Sequence, residues 1–517
     1  MGFDNCRKEE YKALIKRIVK IIFYILIAIL GLLCAITKPV IDWTIENFGV
    51  SIREILYTIV SPMKGADTGF LEGAIVATKT CVILFSVCYI CYLFIDIYLS
   101  KKDIIIKLKF KNINSLSFKK MIRFFVIVLL IINLWLSFNY IDHSLGVIEF
   151  LNSYYQATTI YEDEYINPLD AEIISPENKR NLIYIYLESL ETTYASLDDG
   201  GNQEQYNYIP NLTELAFDNV SFSDADLLGG WKSLGGTGWT MAALFSTASG
   251  VPFSFPIDGN SMSERASFAS GITTLGDILN SDGYHQEFLC GSNAEFGGRE
   301  AFYKQHGNFD IFDYYTARDK GYIEPDYSVW WGYEDEILYE IAKDELTNLA
   351  NQKEPFNFTM LTVDTHHIGG YVCKRCETNY PEQLANVLSC ADKQIYEFIN
   401  WCKDQPWYEN TTIIITGDHP RMDNNLVSGF EMTDRTVYNC FINSVADSKF
   451  ITTNREFTAM DMFPTTLASI GYKIKGERLG LGTNLFSDKE TLCERIGYDC
   501  LNLELQKYSK YYVKNFD

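Results

Sequence analysis

The sequence predicts a two-part α/β protein: three N-terminal transmembrane helices, then an extracytoplasmic domain with a mainly parallel sheet between helices. Three observations predict it. The first 140 residues hold three apolar runs, each long enough to cross a ~30 Å hydrocarbon layer as a helix. Net charge reverses sign beyond Tyr140. Further on, three short apolar runs each stop at a group of acidic or histidine residues, as parallel strands do where a site is built at their carboxyl ends.

The apolar runs cover roughly Ile18–Ile36, Ile75–Tyr98 and Met121–Tyr140. The first is too long for a cleavable signal and two more follow it. Arg7, Lys8, Lys12, Lys16, Arg17 and Lys20 surround its start, and "KKDIIIKLKFKNINSLSFKK" between the second and third runs carries seven lysines against one aspartate. Such an excess marks the cytoplasmic side, so the expectation is a multi-pass plasma-membrane protein with its N-terminus inside and everything after Tyr140 outside. Asp96 and Lys79 fall near the ends of the second run, within reach of the interface. The expected organisation is an anchor over residues 1–140, a polar Tyr- and Pro-containing connector over 141–180, and a catalytic domain over 181–517.

Charge narrows the partners. Residues 1–140 hold 18 Lys and Arg against 10 Asp and Glu, a net of +8, whereas the remaining 377 residues carry a net of −31. A domain this acidic is a poor nucleic-acid binder and suits metal cations. Eight of the 13 cysteines fall in the outer part, where thiols oxidise. "CKRC" lacks a second CxxC partner, so disulfides are expected, with Cys376–Cys390 and Cys493–Cys500 as the pairs.

From Asn181 onward, strand-length apolar runs alternate with helical patterns, the texture of a layered α/β domain. "NLIYIYLES" stops at Glu188-Ser189, "FNFTMLTVDTHH" at Asp364-Thr365-His366-His367, and "TTIIITGDHP" at Asp418-His419. Glu188, Asp418 and His419 are oxygen and nitrogen donors suited to a manganese-, zinc- or magnesium-class cation. "LGGTGWTMAALFSTASGVP" adds a Gly-rich loop feeding a helix, which brings backbone amides close to an anion. Thr237 within that loop is the candidate nucleophile, a hydroxyl activated by an adjacent metal. Thr240 reads instead as the helix N-cap. No Lys-Ser/Thr pair follows the glycines, which excludes a nucleotide-binding P-loop.

Residues about 181–485 resemble the extracytoplasmic domain of phosphoglycerol transferases, a group that includes lipoteichoic acid synthases and belongs to the alkaline phosphatase/sulfatase superfamily. "IYIYLESLETTY", "GGTGWTMAALFSTASGVP", "DTHH", "TGDH" and "LGLGTNLFS" carry the likeness, closer to the glucan-modifying branch than to the synthases. The resemblance implies that Glu188, Thr237, Asp418 and His419 hold one divalent metal, commonly manganese, with zinc or magnesium as alternatives. It implies a covalent intermediate on Thr237, a proton-transfer role for His366 and a phosphate clamp at Arg299, with Trp239 and His367 lining the pocket. The implied donor is phosphatidylglycerol and the implied acceptor an envelope glycolipid, teichoic acid or glucan. Cys290 and Gly297 stand where the synthases carry histidine and tryptophan. Only six histidines are present, which favours one metal over a two-zinc centre.

Other readings keep the fold. A phosphoethanolamine transferase usually follows the threonine with a Pro-Cys signature, whereas this chain has "SGVPFSFP". A lipid phosphodiesterase would use water as acceptor. A formylglycine sulfatase needs Cys or Ser in C/S-x-P-x-R, which "TGWTM" does not supply. A non-catalytic membrane-tethered scaffold would be favoured by a missing metal ligand, and each ligand type is present.

Overall fold

The computed structural model describes residues 2–48, 52, 55–56, 69–102, 104–106, 116–254, 268–423, 425–446 and 451–516. The chain divides into two units, one built from Met1–Glu46 and Thr68–Ile148, the other holding Glu149–Asp517. The first contains helices α1 (Gly2–Phe48), α2 (Gly69–Lys101) and α3 (Phe118–Leu145). All three are long and apolar enough to cross a membrane, over Tyr11–Ile45, Gly73–Lys101 and Phe118–Leu145.

Asp96 has a different role from that of a residue reaching the interface. It is 1% exposed, and Arg123 of α3 donates to its two carboxylate oxygens at 2.7 and 2.8 Å. Tyr24 of α1 donates to the same carboxylate, so one ion pair joins all three helices. Removing one member of such a pair strands the other charge in a low-dielectric setting. Asp96→Ala is therefore expected to destabilise the helical unit by roughly 3 kcal/mol, read as a lower thermal midpoint in detergent. The double variant Asp96→Ala/Arg123→Ala should recover part of the loss.

The second unit is layered. Its central sheet comprises β1 (Asn181–Leu187), β2 (His285–Cys290), β3 (Asp310–Phe312), β4 (Phe356–Leu361), β5 (Thr411–Gly417) and β6 (Asn439–Ile442), in the spatial order β6-β5-β1-β4-β2-β3. Only β6 runs antiparallel, against β5; the other pairings are parallel. The expected mainly parallel sheet between helices is present.

Side chains alternate across the sheet, as the period of two requires. Leu182, Tyr184 and Tyr186 of β1 enter one core layer with α5 (Thr240–Ser249) and α8 (Met462–Ser469). Ile183, Ile185 and Leu187 enter the other, beneath α4 (Pro210–Asp218), α6 (Asp335–Ala350) and α7 (Gln383–Lys403). Both faces being covered explains why these strands read as continuous apolar runs. The register sets Leu187 beside Gly417 and Tyr186 beside Leu361. The carboxyl ends of β4, β1 and β5 thus lie side by side.

The expected disulfides are not formed. Cys376 and Cys390 are free thiols that gather with Cys373, while Cys493 is buried and Cys500 exposed. Cys493 lies in the helix Leu492–Ile496 and Cys500 in the next, Tyr498–Gln506, one buried and the other exposed, so sequence proximity does not become a bond.

Candidate functional site

Two of the three strand ends carry their residues into one buried group. Glu188 follows β1 directly, and Asp418-His419 follows β5. Their donor atoms all lie within 4.8 Å of one another. Backbone bonds fix them there. The Asp418 Oδ1 accepts from the amides of Ser189 and His419, each at 2.8 Å, and the Glu188 amide donates to Thr362 Oγ1 just past β4. Ser189 takes a left-handed conformation at φ +52, costly for a residue with a Cβ and characteristic of sites where a side chain must be re-aimed. Its hydroxyl donates to Glu188 Oε1 at 2.6 Å.

The hydroxyl at this group belongs to Thr240, not Thr237. Thr240 is half-buried at the first position of α5, with Oγ1 3.4 Å from Glu188 Oε2 and 3.4 Å from His419 Nε2. Thr237 is fully buried and committed to its own loop: Oγ1 accepts from the Leu234 amide at 2.7 Å and donates to the Leu234 carbonyl at 3.0 Å. The two threonines are therefore placed otherwise than expected, Thr240 at the acids and Thr237 within its loop, and the reason is local. Trp239, with extended φ −143 and ψ 159, is the cap residue. That frees Thr240 from capping its own helix and turns its hydroxyl outward to the acids. Gly236, at φ +90, makes the tight turn; a Cβ there would meet the Phe253 carbonyl at 2.6 Å.

The remaining expected site residues divide. His366 is half-buried beside Glu188, whose charge it feels. Its Nδ1 faces the His367 carbonyl at 2.6 Å, so Nδ1 carries the proton and Nε2 is left to act. Burial holds the His366 imidazole below its usual range, against the opposing pull of Glu188. His367 stacks on His366 with centroids 4.2 Å apart and is pushed well down by burial. Arg299 is 6% exposed and donates to the Phe296 and Asn293 carbonyls and to Ser292 Oγ. Those bonds occupy Nε and one terminal nitrogen, and the guanidinium lies over Phe296. Phe296 contacts Trp331, which in turn contacts His366. Trp239 differs from the expected pocket-lining residue: its ring is packed in the core, edge-on to Phe253.

Several site residues were not anticipated. Arg421, fully buried, forms a two-pronged pair with Asp423 and donates to the Thr365 carbonyl at 2.7 Å. Arg435 forms a second buried pair with Glu191 and donates to the Arg421 carbonyl. Asp335 accepts from the Val363 and Asp364 amides. These groups hold the loops after β1, β4 and β5 to one another. The one available signal was position: Glu191 and Arg421 each stand within three residues of an expected ligand. Arg421→Met strands Asp423, so it is expected to cost roughly 3–5 kcal/mol of stability, read by chemical denaturation.

The donor set fits a divalent cation. The His419 Nδ1 donates to the Pro420 carbonyl at 2.8 Å, which fixes the tautomer and leaves Nε2 as an electron-pair donor. That nitrogen lies 3.4 Å from Asp418 Oδ2 and 3.6 Å from Glu188 Oε1. These separations are long for charge-assisted hydrogen bonds. They match the edge of roughly 3.4 Å that donors share around an ion at about 2.0–2.2 Å. Asp418 Oδ2 is buried with no hydrogen-bond partner. Burial, then the charge of Glu188, pushes Asp418 up to about 7. Burial pushes Glu188 up as well, but His366 and His419 outweigh it and hold its carboxyl below the usual range. A cation is what would satisfy all three ligands together.

Residues 180–472 match the family model described as Sulfatase. Phosphoglycerol transferase I of Salmonella paratyphi B is 34% identical over 269 residues, which is 50% of this chain and 33% of that protein. The same-named protein of Salmonella typhi matches to the same extent. The match thus spans a third of the relatives' length. Among solved structures, the lipoteichoic acid synthase LtaP from Listeria monocytogenes is similar at 19% identity and a TM-score of 0.45, over 61% of this chain and 79% of that one. The lipooligosaccharide phosphoethanolamine transferase EptA from Neisseria meningitidis is similar at 13% and 0.46, over 86% and 84%.

Proposed function

The chain belongs to the sulfatase family, and from that premise we propose that it is a membrane-anchored, metal-dependent phosphoglycerol transferase with Thr240 as its nucleophile. One observation carries the reading: a half-buried threonine hydroxyl stands 3.4 Å from both Glu188 and His419 in a buried two-carboxylate, one-imidazole group. The relatives' name supplies the transferred group. We assign residues 1–140 to the anchor, 141–180 to the connector and 181–517 to the catalytic domain, with the N-terminus cytoplasmic and the catalytic domain extracytoplasmic.

Glu188, Asp418 and His419 would hold the cation, with Thr240 beside it; manganese is the first choice, zinc and magnesium the alternatives. Such a cation supplies Lewis-acid activation of the attacking hydroxyl and charge for the phosphoryl oxygens. In the first half-reaction, Thr240 Oγ1 gives its proton to Nε2 of the neutral His366 and bonds to the phosphorus of phosphatidylglycerol as the bond to diacylglycerol breaks. His366 then passes that proton to the departing oxygen. In the second, the hydroxyl of a glycolipid, teichoic acid or glucan gives its proton to His366 and displaces Thr240, whose departing oxygen takes that proton from His366. Arg299 orients the phosphoryl group. Tethering to the membrane keeps the lipid donor at high effective concentration.

Purified full-length protein given labelled phosphatidylglycerol and Mn²⁺ is expected to release diacylglycerol, to stop on chelation, and to resume on adding Mn²⁺. No release with Mn²⁺, Zn²⁺ or Mg²⁺ would overturn the proposal.

A further inference from the structure

Six residues beyond His367, a second donor group forms. The Cys373 sulfur lies 3.6 Å from that of Cys376 and 3.7 Å from that of Cys390, and all three sulfurs fall within 4.8 Å of one another. Cys373 and Cys390 are buried and Cys376 is half-buried. A disulfide sets its sulfurs about 2.05 Å apart. Thiolates on a tetrahedral zinc, with bonds of about 2.3 Å, stand roughly 3.8 Å apart. The spacing here is the second kind, and Cys373-x-x-Cys376 is the short loop such sites use.

A fourth side chain faces the same point. Gln394, one helical turn beyond Cys390 on α7, is 2% exposed. Its amide nitrogen lies 3.4 Å from the Cys390 sulfur and 4.0 Å from that of Cys373, while its amide oxygen is buried with no partner. Turning the amide by half a rotation aims that oxygen at the sulfurs and gives it a ligand's role. A single disulfide would use two of the three cysteines and leave the oxygen orphaned.

We propose that Cys373, Cys376 and Cys390 bind one zinc-class cation, with the Gln394 amide oxygen at the fourth position. Its place in the fold assigns it a structural role. The Gly370 amide donates to the His366 carbonyl, the Tyr371 amide donates to the Asp364 carbonyl at 2.7 Å, and the Gln383 amide of α7 donates to the Gly370 carbonyl. The cation would close this path from α7 to the segment bearing His366 and His367.

The test separates this site from the one at Glu188. Full-length protein carrying Glu188→Gln, purified in detergent without reductant, is expected to retain one zinc per chain by elemental analysis. Adding Cys376→Ser should lower that to none, and adding Cys500→Ser, at an exposed thiol elsewhere, should leave it at one. Zinc unchanged by Cys376→Ser, or a disulfide among the three cysteines in peptide mapping, overturns the proposal. Should Cys376→Ser fail to fold, cobalt decides: exchanged into the Glu188→Gln protein, it should show intense thiolate-to-cobalt charge transfer in the near ultraviolet. Absence of that band overturns the proposal as well.

Discussion

Replacing Thr240 by alanine is expected to lower diacylglycerol release by ~10³-fold or more, because it removes the hydroxyl that stands 3.4 Å from both Glu188 and His419. Thr237→Val should behave oppositely. It removes the bonds to the Leu234 amide and carbonyl, so roughly 1–3 kcal/mol of stability should be lost while most turnover remains. Paired thermal melts and turnover assays distinguish the two. A labelled glycerophosphate trapped on the enzyme should map to Thr240 by peptide sequencing. If Thr237→Val is folded and inactive while Thr240→Ala turns over, the nucleophile assignment is wrong.

The second large effect concerns Asp418 in metal-free protein. Its carboxyl is pushed up to about 7 by burial and by Glu188, against about 3.9 for an unfolded aspartate. The native state therefore holds the proton more tightly. Stability from this group is full below pH 4 and is lost as pH rises from about 4 to 7. Asp418→Asn removes the ionisable group, so metal-free Asp418→Asn should melt ~3–6 °C above metal-free wild type at pH 7.5. With Mn²⁺ the order reverses, since binding to the native state raises the wild-type midpoint by mass action and the variant lacks a ligand. Differential scanning fluorimetry with and without chelator checks both signs. A metal-free variant less stable than wild type would show that Asp418 is held by contacts other than a cation.

Much of this site was legible along the chain because parallel strands buried on both faces announce themselves. "NLIYIYL" and "TTIIITG" can be little else than covered strands, and a polar residue straight after such a run must lie at the sheet's carboxyl edge. Glu188 and Asp418-His419 were found that way. His366 was found through its position after "FNFTMLTVD". The buried pairs Arg421–Asp423 and Arg435–Glu191 were not, because charged residues next to ligands read as solvated loop until the fold closes over them. Trp239 was misread for a related reason. An aromatic in a Gly-rich loop suits a pocket or a core equally, and only the arrival of Phe253 from further along the chain decides between them.

The sequence alone determined that three helices can span a membrane, that an acidic layered domain follows, and that two carboxylates and an imidazole meet at one edge. Each of these depends on periodicity or run length, which the chain carries locally. Which of two threonines three residues apart faces the acids, and which of eight outer cysteines lie together, was decided only by the tertiary structure. The first turns on whether Trp239 or Thr240 takes the extended conformation at the helix start. The second turns on α7 bringing Cys390 back against Cys373 and Cys376. Both are directions in space set by packing between segments far apart in sequence, and no local pattern encodes them.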